Sequence, residues 1–219
     1  MPGPFDVSFE SLPGSLPVFP LTGALLLPKC RLPLNIFEPR YVAMAEDALA
    51  SDRLLGMVQP VEVNSDARAP RLFDVGCAGR ISSFSETDDG RMLIILTGVS
   101  RFRIVEEIDA DLPYRRVHPD WEPFRTDLVE APEGTIDRER LYASLRAYFD
   151  TRCLDTDWAA LDEAGDEHLV NSLCMSCPFD SAEKQALLEA PELEDRLRLM
   201  LSLLDMATLG QGGGDLPLH

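Results

Sequence analysis

The sequence predicts an α+β fold: a small β-barrel, or two packed sheets, followed by an α-helical bundle. Three observations predict it. Six or seven short apolar runs lie between residues 14 and 125, spaced by prolines and turn signals. Among them a single stretch, after Pro39, repeats its apolar residues at three- and four-residue steps. Beyond residue 136 that helical period takes over and strand patterns cease.

Residues 1–13 hold three prolines and no period, and read as a flexible arm. The first strand carries Leu16, Val18 and Phe19, is cut by Pro17 and Pro20, and leads to a leucine run that ends at Pro28. A second run, Leu32 to Phe37, meets Glu38-Pro39-Arg40-Tyr41, which opens a helix. Proline suits that first turn, where a missing N–H has no helical partner to lose. Tyr41, Met44, Ala45, Ala48 and Leu49 form the helix's apolar face. Leu54 to Val58 is a short strand stopped by Pro60, and Asn64 to Pro70 is a polar turn. Leu72 to Gly79 is a strand whose small residues suit a bulge or a close backbone approach. Arg80 to Glu86 alternates, and Asp88-Asp89-Gly90 signals a hairpin turn. Arg91 to Gly98 reads as a strand buried on both faces. Ser100 to Ile108 sets Phe102 and Ile104 against Arg101 and Arg103. Tyr114 to Glu122 is the last strand, with Pro119 confining it to an edge or a bulge.

The barrel is thus placed at 14–125, a linker with Pro132 and Gly134 at 126–135, helices at 136–210 and a glycine-rich tail at 211–219. The first helix of the bundle groups Leu141, Leu145, Tyr148 and Phe149. A short one carries Trp158 and Leu161. The next, which Asp166 could cap, presents Leu169, Val170, Leu173, Cys174 and Cys177. Asp180-Ser181-Ala182-Glu183 has the form of a capping box. The last helix, opened by Pro191, has one stripe of Leu193, Leu197, Met200, Leu201 and Leu204 and a second of Leu199, Leu203 and Met206. Two apolar stripes suit a helix held between neighbours or in a subunit contact, so a dimer stays open.

The formal net charge of −18 is uneven. Residues 1–125 hold 18 acidic and 13 basic groups, residues 126–219 hold 20 and 7. Such a field repels phosphate backbones and anionic lipid, so nucleic acid and membrane surfaces are disfavoured partners. Five cysteines, an odd number, and an acidic, proline-rich N-terminus point to reduced thiols and a cytoplasmic protein. No apolar run approaches the roughly 20 residues of a membrane span.

Chemistry-bearing motifs are few. Cys174-Met175-Ser176-Cys177 could be a redox pair or half a zinc site, but no βαβ pattern or second ligand pair accompanies it, and buried core thiols are the better reading. His118, His168 and His219 fit no nucleophile–base arrangement. There is no phosphate-binding G-x-x-x-x-G-K-[ST] loop, and only Lys29 and Lys184 could serve a Ser–Lys dyad. No catalytic residue, metal or cofactor is expected. Glu38 and Arg101 stand out as charges in apolar surroundings, where burial without a partner costs several kcal/mol. The expected answer is an ion pair, Glu38 with Arg101 or with Arg40, tying the helix to the barrel.

Five segments taken together resemble the N-terminal substrate-binding domain of the Lon protease family: Phe19–Leu21 (FPL), Leu32–Tyr41 (LPLNIFEPRY), Val75–Ile81 (VGCAGRI), Asp89–Arg91 (DGR) and Gly98–Ile104. The resemblance implies a PUA-like β-barrel followed by an α-helical bundle. It also implies that Phe19, Pro20, Phe37, Glu38, Pro39, Arg40, Tyr41, Gly98, Arg101 and Phe102 hold strands and helix together rather than perform chemistry. The ATPase and Ser/Lys peptidase motifs of a full Lon protease have no counterpart here, so a stand-alone, non-catalytic form is expected. The implied partners are unfolded or exposed polypeptide segments, together with an ATP-dependent protease that the chain would serve as an adaptor in protein quality control. It names no peptide-binding residue. Two alternatives stand beside it: an RNA-binding module, through Arg101, Arg103, Arg115 and Arg116, and a small-ligand binder with a deep polar pocket.

Overall fold

In the computed structural model, residues 7–62, 70–130 and 132–211 are described. The turn expected at 64–70 and the tail at 211–219 fall almost wholly outside them, as do residues 1–6 of the arm and His219. Strands β1 (Leu16–Pro20), β2 (Arg31–Ile36), β3 (Leu54–Val58), β4 (Val75–Glu86), β5 (Met92–Ile108) and β6 (Arg115–Asp120) form one sheet. Its order is β2-β5-β4-β3-β1-β6, and β5 also pairs with β6, which closes five of the strands into a barrel. β1 and β3 run parallel, Val18 beside Gly56; helix α1 (Pro39–Leu49) lies in the connection between them.

Closure is possible because β4 and β5 are long. Leu72–Gly79 and Arg80–Glu86, read as separate runs, are largely one strand, bent by register shifts at Ala78/Gly79 and Ile81/Ser83 instead of broken. Likewise Arg91–Gly98 and Ser100–Ile108 make the single 17-residue β5. Its first half pairs with β2 and its second with β6. The first half is not buried on both faces: Leu93 is 45% exposed, because only one face of that extension meets the core.

Barrel residues alternate between two apolar clusters. Leu16, Val18, Val117, Phe102 and Trp121 share the smaller one. Phe19, Ile36, Met57, Cys77 and Leu96 belong to a larger cluster that continues into α1 and the helical region. That region comprises α2 (Arg138–Arg152), α3 (Trp158–Glu163), α4 (Asp166–Ser176), α5 (Ser181–Glu189) and α6 (Leu193–Gln211). Asp137 and Asp157 cap α2 and α3, and Asp180 with Glu183 forms the capping box of α5. α4 departs from expectation. Gly165 is its N-cap, while Asp166 turns its carboxylate to the N–H groups of Gly134 and Thr135 and to Arg138. On α6 the first stripe is buried from Leu197 onward, but the second fails at Met206, 59% exposed, since only Leu199 and Leu203 reach neighbours.

Candidate functional site

Gly98 allows the barrel to meet the segment before β2. A Cβ there would lie 2.0 Å from the Leu27 carbonyl oxygen, so the close approach requires glycine. Gly98 N–H donates to the Cys30 carbonyl, and its own carbonyl accepts from Lys29 N–H. Three residues on, Arg101 and Phe102 point to opposite sides of β5. Phe102 is fully buried, and its ring fills the space that a Cβ on Gly56 or Gly76 would enter.

Arg101 leaves the barrel on the side covered by helices and is only 3% exposed. A 3-10 segment, Glu122–Leu128, delivers Asp127 to it. Nη2 donates to Asp127 Oδ1 at 2.8 Å and Nε to Oδ2 at 2.9 Å, while Oδ2 also accepts the backbone N–H of Arg101. Nη1 donates to the carbonyls of Leu188 and Ala190, and Nη2 to that of Pro191. Every guanidinium N–H therefore has an acceptor, and the guanidinium sits 4.7 Å from the Phe124 ring. The carbonyls at the end of α5 are the negative pole of a helix, which suits a buried cation.

Arg196 of α6 converges on the same place. It is 4% exposed, donates from Nε to the Leu187 carbonyl at 3.0 Å and from Nη1 to Asn171 Oδ1 at 2.8 Å; Nη2 has no partner among the described residues. Burial and, after it, the charge of Arg101 hold this guanidinium below its usual pKa. Two arginines and one aspartate leave the cluster net positive. Arg196 is not among the charges that stand out in the sequence. Its signal was a charge on an apolar stripe, three residues after Leu193 and four before Met200.

These three side chains line a cavity of about 480 Å³ between barrel and helices. Val129, Pro132 and Leu193 add apolar wall, and Glu130, Glu167, Glu192 and Glu194 make the surroundings acidic. Lys29 links two residues of the wall, pairing with Glu167 at 2.6 Å and donating to the Val129 carbonyl. A smaller hollow of about 260 Å³, beside Arg103 and Phe124, shares Pro191 and Glu192 with it.

The motif residues fall in three places. Phe19 and Tyr41 are buried together, ring centroids 4.3 Å apart, with Arg40 over the Tyr41 ring. Pro39 opens α1, and Pro20 ends β1. Phe37 is 64% exposed. The expected Glu38–Arg101 pair does not form. Glu38 pairs with Arg40 at 2.9 Å on a half-exposed surface within the start of α1, so it does not tie helix to barrel. The arginines considered for RNA are also dispersed: Arg101 is buried, Arg115 pairs with Glu107, and Arg116 bonds Ser15.

Cys174 and Cys177 are buried, and desolvation pushes their thiols up to about 12 and about 11. Cys177 caps α4, and Cys174 Sγ lies 3.5 Å from Met200 Sδ. His168 lies beside the turn before β2. Its Nδ1 is 3.9 Å from Cys30 Sγ, and Ser172 Oγ is 3.3 Å from its Nε2. Burial raises the Cys30 thiol, so the trio is not an activated nucleophile. Among the described residues no group of His, Cys, Asp and Glu could hold a metal, and no helix is long and apolar enough to cross a membrane.

Residues 15–206 match the family described as the ATP-dependent protease La (LON) substrate-binding domain. Lon protease 2 of Myxococcus xanthus is 27% identical over 217 residues, covering 94% of this chain and 25% of the relative. Lon protease of Parabacteroides distasonis is 28% identical, with 92% and 25% covered. The chain thus spans about a quarter of the length of these curated relatives. Among solved structures, the Lon N-terminal domain protein from Xanthomonas campestris aligns with TM-score 0.61 and 22% identity over 86% of this chain and 97% of its own. The N-terminal domain of Mycobacterium avium complex Lon protease aligns with TM-score 0.59 and 19% identity, over 87% and 98%. Both support the fold.

Proposed function

The chain belongs to the Lon substrate-binding domain family, and on that premise we propose that it is a non-catalytic module binding exposed segments of polypeptide. The observation that carries the reading is the match of residues 15–206 to the substrate-binding family. The barrel–helix junction is the candidate surface, because its open cavity joins apolar walls to buried hydrogen-bonding groups, as ligand sites do. Strand addition is the weaker mode. β2 pairs on one side only among the described residues, and its partner pattern follows from Gly98 N–H bonding the Cys30 carbonyl. Alternation from there turns residues 31, 33 and 35 to the free edge, where Pro33 offers no N–H. An adaptor role beside an ATP-dependent protease, in the cytoplasm, fits the same reading.

The test is calorimetric titration of the chain with a permanently unfolded model protein. Binding of micromolar order, about −8 kcal/mol, is expected. No heat of binding across a panel of unfolded proteins and apolar peptides would sink the proposal.

A further inference from the structure

The junction holds one feature that peptide binding in general does not explain. Arg196 is buried, yet its Nη2 donates to nothing among the described residues, although Nε and Nη1 are bonded at 3.0 and 2.8 Å. A buried donor without an acceptor destabilises the fold, more so when charged. Arg101 cannot share its acceptor, because both oxygens of Asp127 are engaged by Arg101 itself. Arg101, Asp127 and Arg196 by themselves carry one positive charge in excess, although four glutamates complete the lining of the 480 Å³ cavity. A guanidinium in that state suits a carboxylate, which matches its planar fork.

The surroundings narrow the class. Glu130, Glu167, Glu192 and Glu194 all line the cavity, three of them exposed to solvent, so a ligand with several negative charges is repelled. A ligand that carries one carboxylate at its tip and a neutral or basic body satisfies both zones. The end of a polypeptide chain has that form. We propose that the cavity reads the terminal carboxylate of a bound polypeptide through Arg196, with neutral or basic preceding residues lying past the glutamates. The proposal rests on the polypeptide-binding reading above, and it makes chain ends the preferred segments.

The experiment titrates the full chain with an N-acetylated tetrapeptide bearing a free carboxylate, with the same peptide as its C-terminal amide, and with sodium acetate. The free acid should bind about tenfold or more tighter than the amide, the scale of a charge-assisted hydrogen bond, and acetate should compete weakly. Arg196→Gln should bring the acid down to the amide's affinity, and Arg196→Lys, which keeps the charge, should retain part of the preference. Glu192→Gln with Glu194→Gln, both on the surface, should tighten the acid severalfold more than the amide, a readout independent of any folding defect at Arg196. Equal affinity of acid and amide would overturn the carboxylate reading while leaving polypeptide binding intact. Acetate binding as well as the peptide would overturn it too, assigning the site to free small carboxylates. Failure of every probe, with an unfolded protein still bound, would place the polypeptide surface elsewhere.

Discussion

Arg101 and Asp127, 26 residues apart, form an ion pair at 2.8 Å that is almost sealed from solvent. It joins strand β5 to the segment that leaves the barrel, and the same guanidinium holds the end of α5. Removing one partner strands the other as a buried charge. Asp127→Ala should therefore lower stability by about 3–5 kcal/mol in urea unfolding. Replacing both charges, Arg101→Met with Asp127→Leu, should cost clearly less than the sum of the single changes. Additive losses would mean that the pair is not the coupling element.

Gly98→Ala places a methyl 2.0 Å from the Leu27 carbonyl oxygen, a backbone atom that cannot rotate away. The expected loss is more than about 3 kcal/mol, by the strain route of overpacked sites. A thermal midpoint within a degree or two of the parent would contradict the close approach.

Asp166 bears on acid stability. Burial opposes its ionisation, but hydrogen bonds from Arg138 and from the Gly134 and Thr135 N–H groups outweigh it and hold the carboxyl below its usual value. A group lowered in the folded state contributes its stability above the unfolded value, about 3.9, and loses it as pH falls through the folded value. Asp166→Asn should thus lose roughly 1–2 kcal/mol at neutral pH and converge on the parent below about pH 4. A constant gap across that range would rule this out.

The thiols give a chemical check. Cys153 is exposed, whereas Cys30, Cys77, Cys174 and Cys177 are buried. At pH 8 a disulfide reagent should label one thiol quickly in the native protein and five in denaturant, and Cys153→Ser should abolish the fast phase. Rapid labelling of Cys174 or Cys177 would show that α4 opens locally.

Val129 tests the location of the binding surface. It is 64% exposed on the cavity wall, so Val129→Glu should leave stability within about 0.5 kcal/mol. Affinity for an unfolded protein should fall about tenfold, since the change adds a charge to an apolar contact. Unchanged affinity, read by the same calorimetry, would move the surface away from the junction.

Local chemistry determined much of this protein from sequence. Pro39 marked the start of α1, the Asp180–Glu183 box the start of α5, and the alternation around Phe102 a strand wall. These features depend on neighbours within a few residues, and the motif order identified the resemblance. The charges behaved differently. Arg101 was visibly in need of a partner, but Asp127, and not Glu38, meets it, because closure of the barrel carries residues 101 and 127 together and leaves Glu38 at the solvent end of α1. Arg196 beside Asn171, and His168 beside Cys30, arise the same way, from contacts between α6, α4 and the turn before β2. Propensity and period are local, whereas the pairing of buried polar groups is fixed only when distant segments share one dry interface. The candidate site consists of such pairings, so only the tertiary structure decided it.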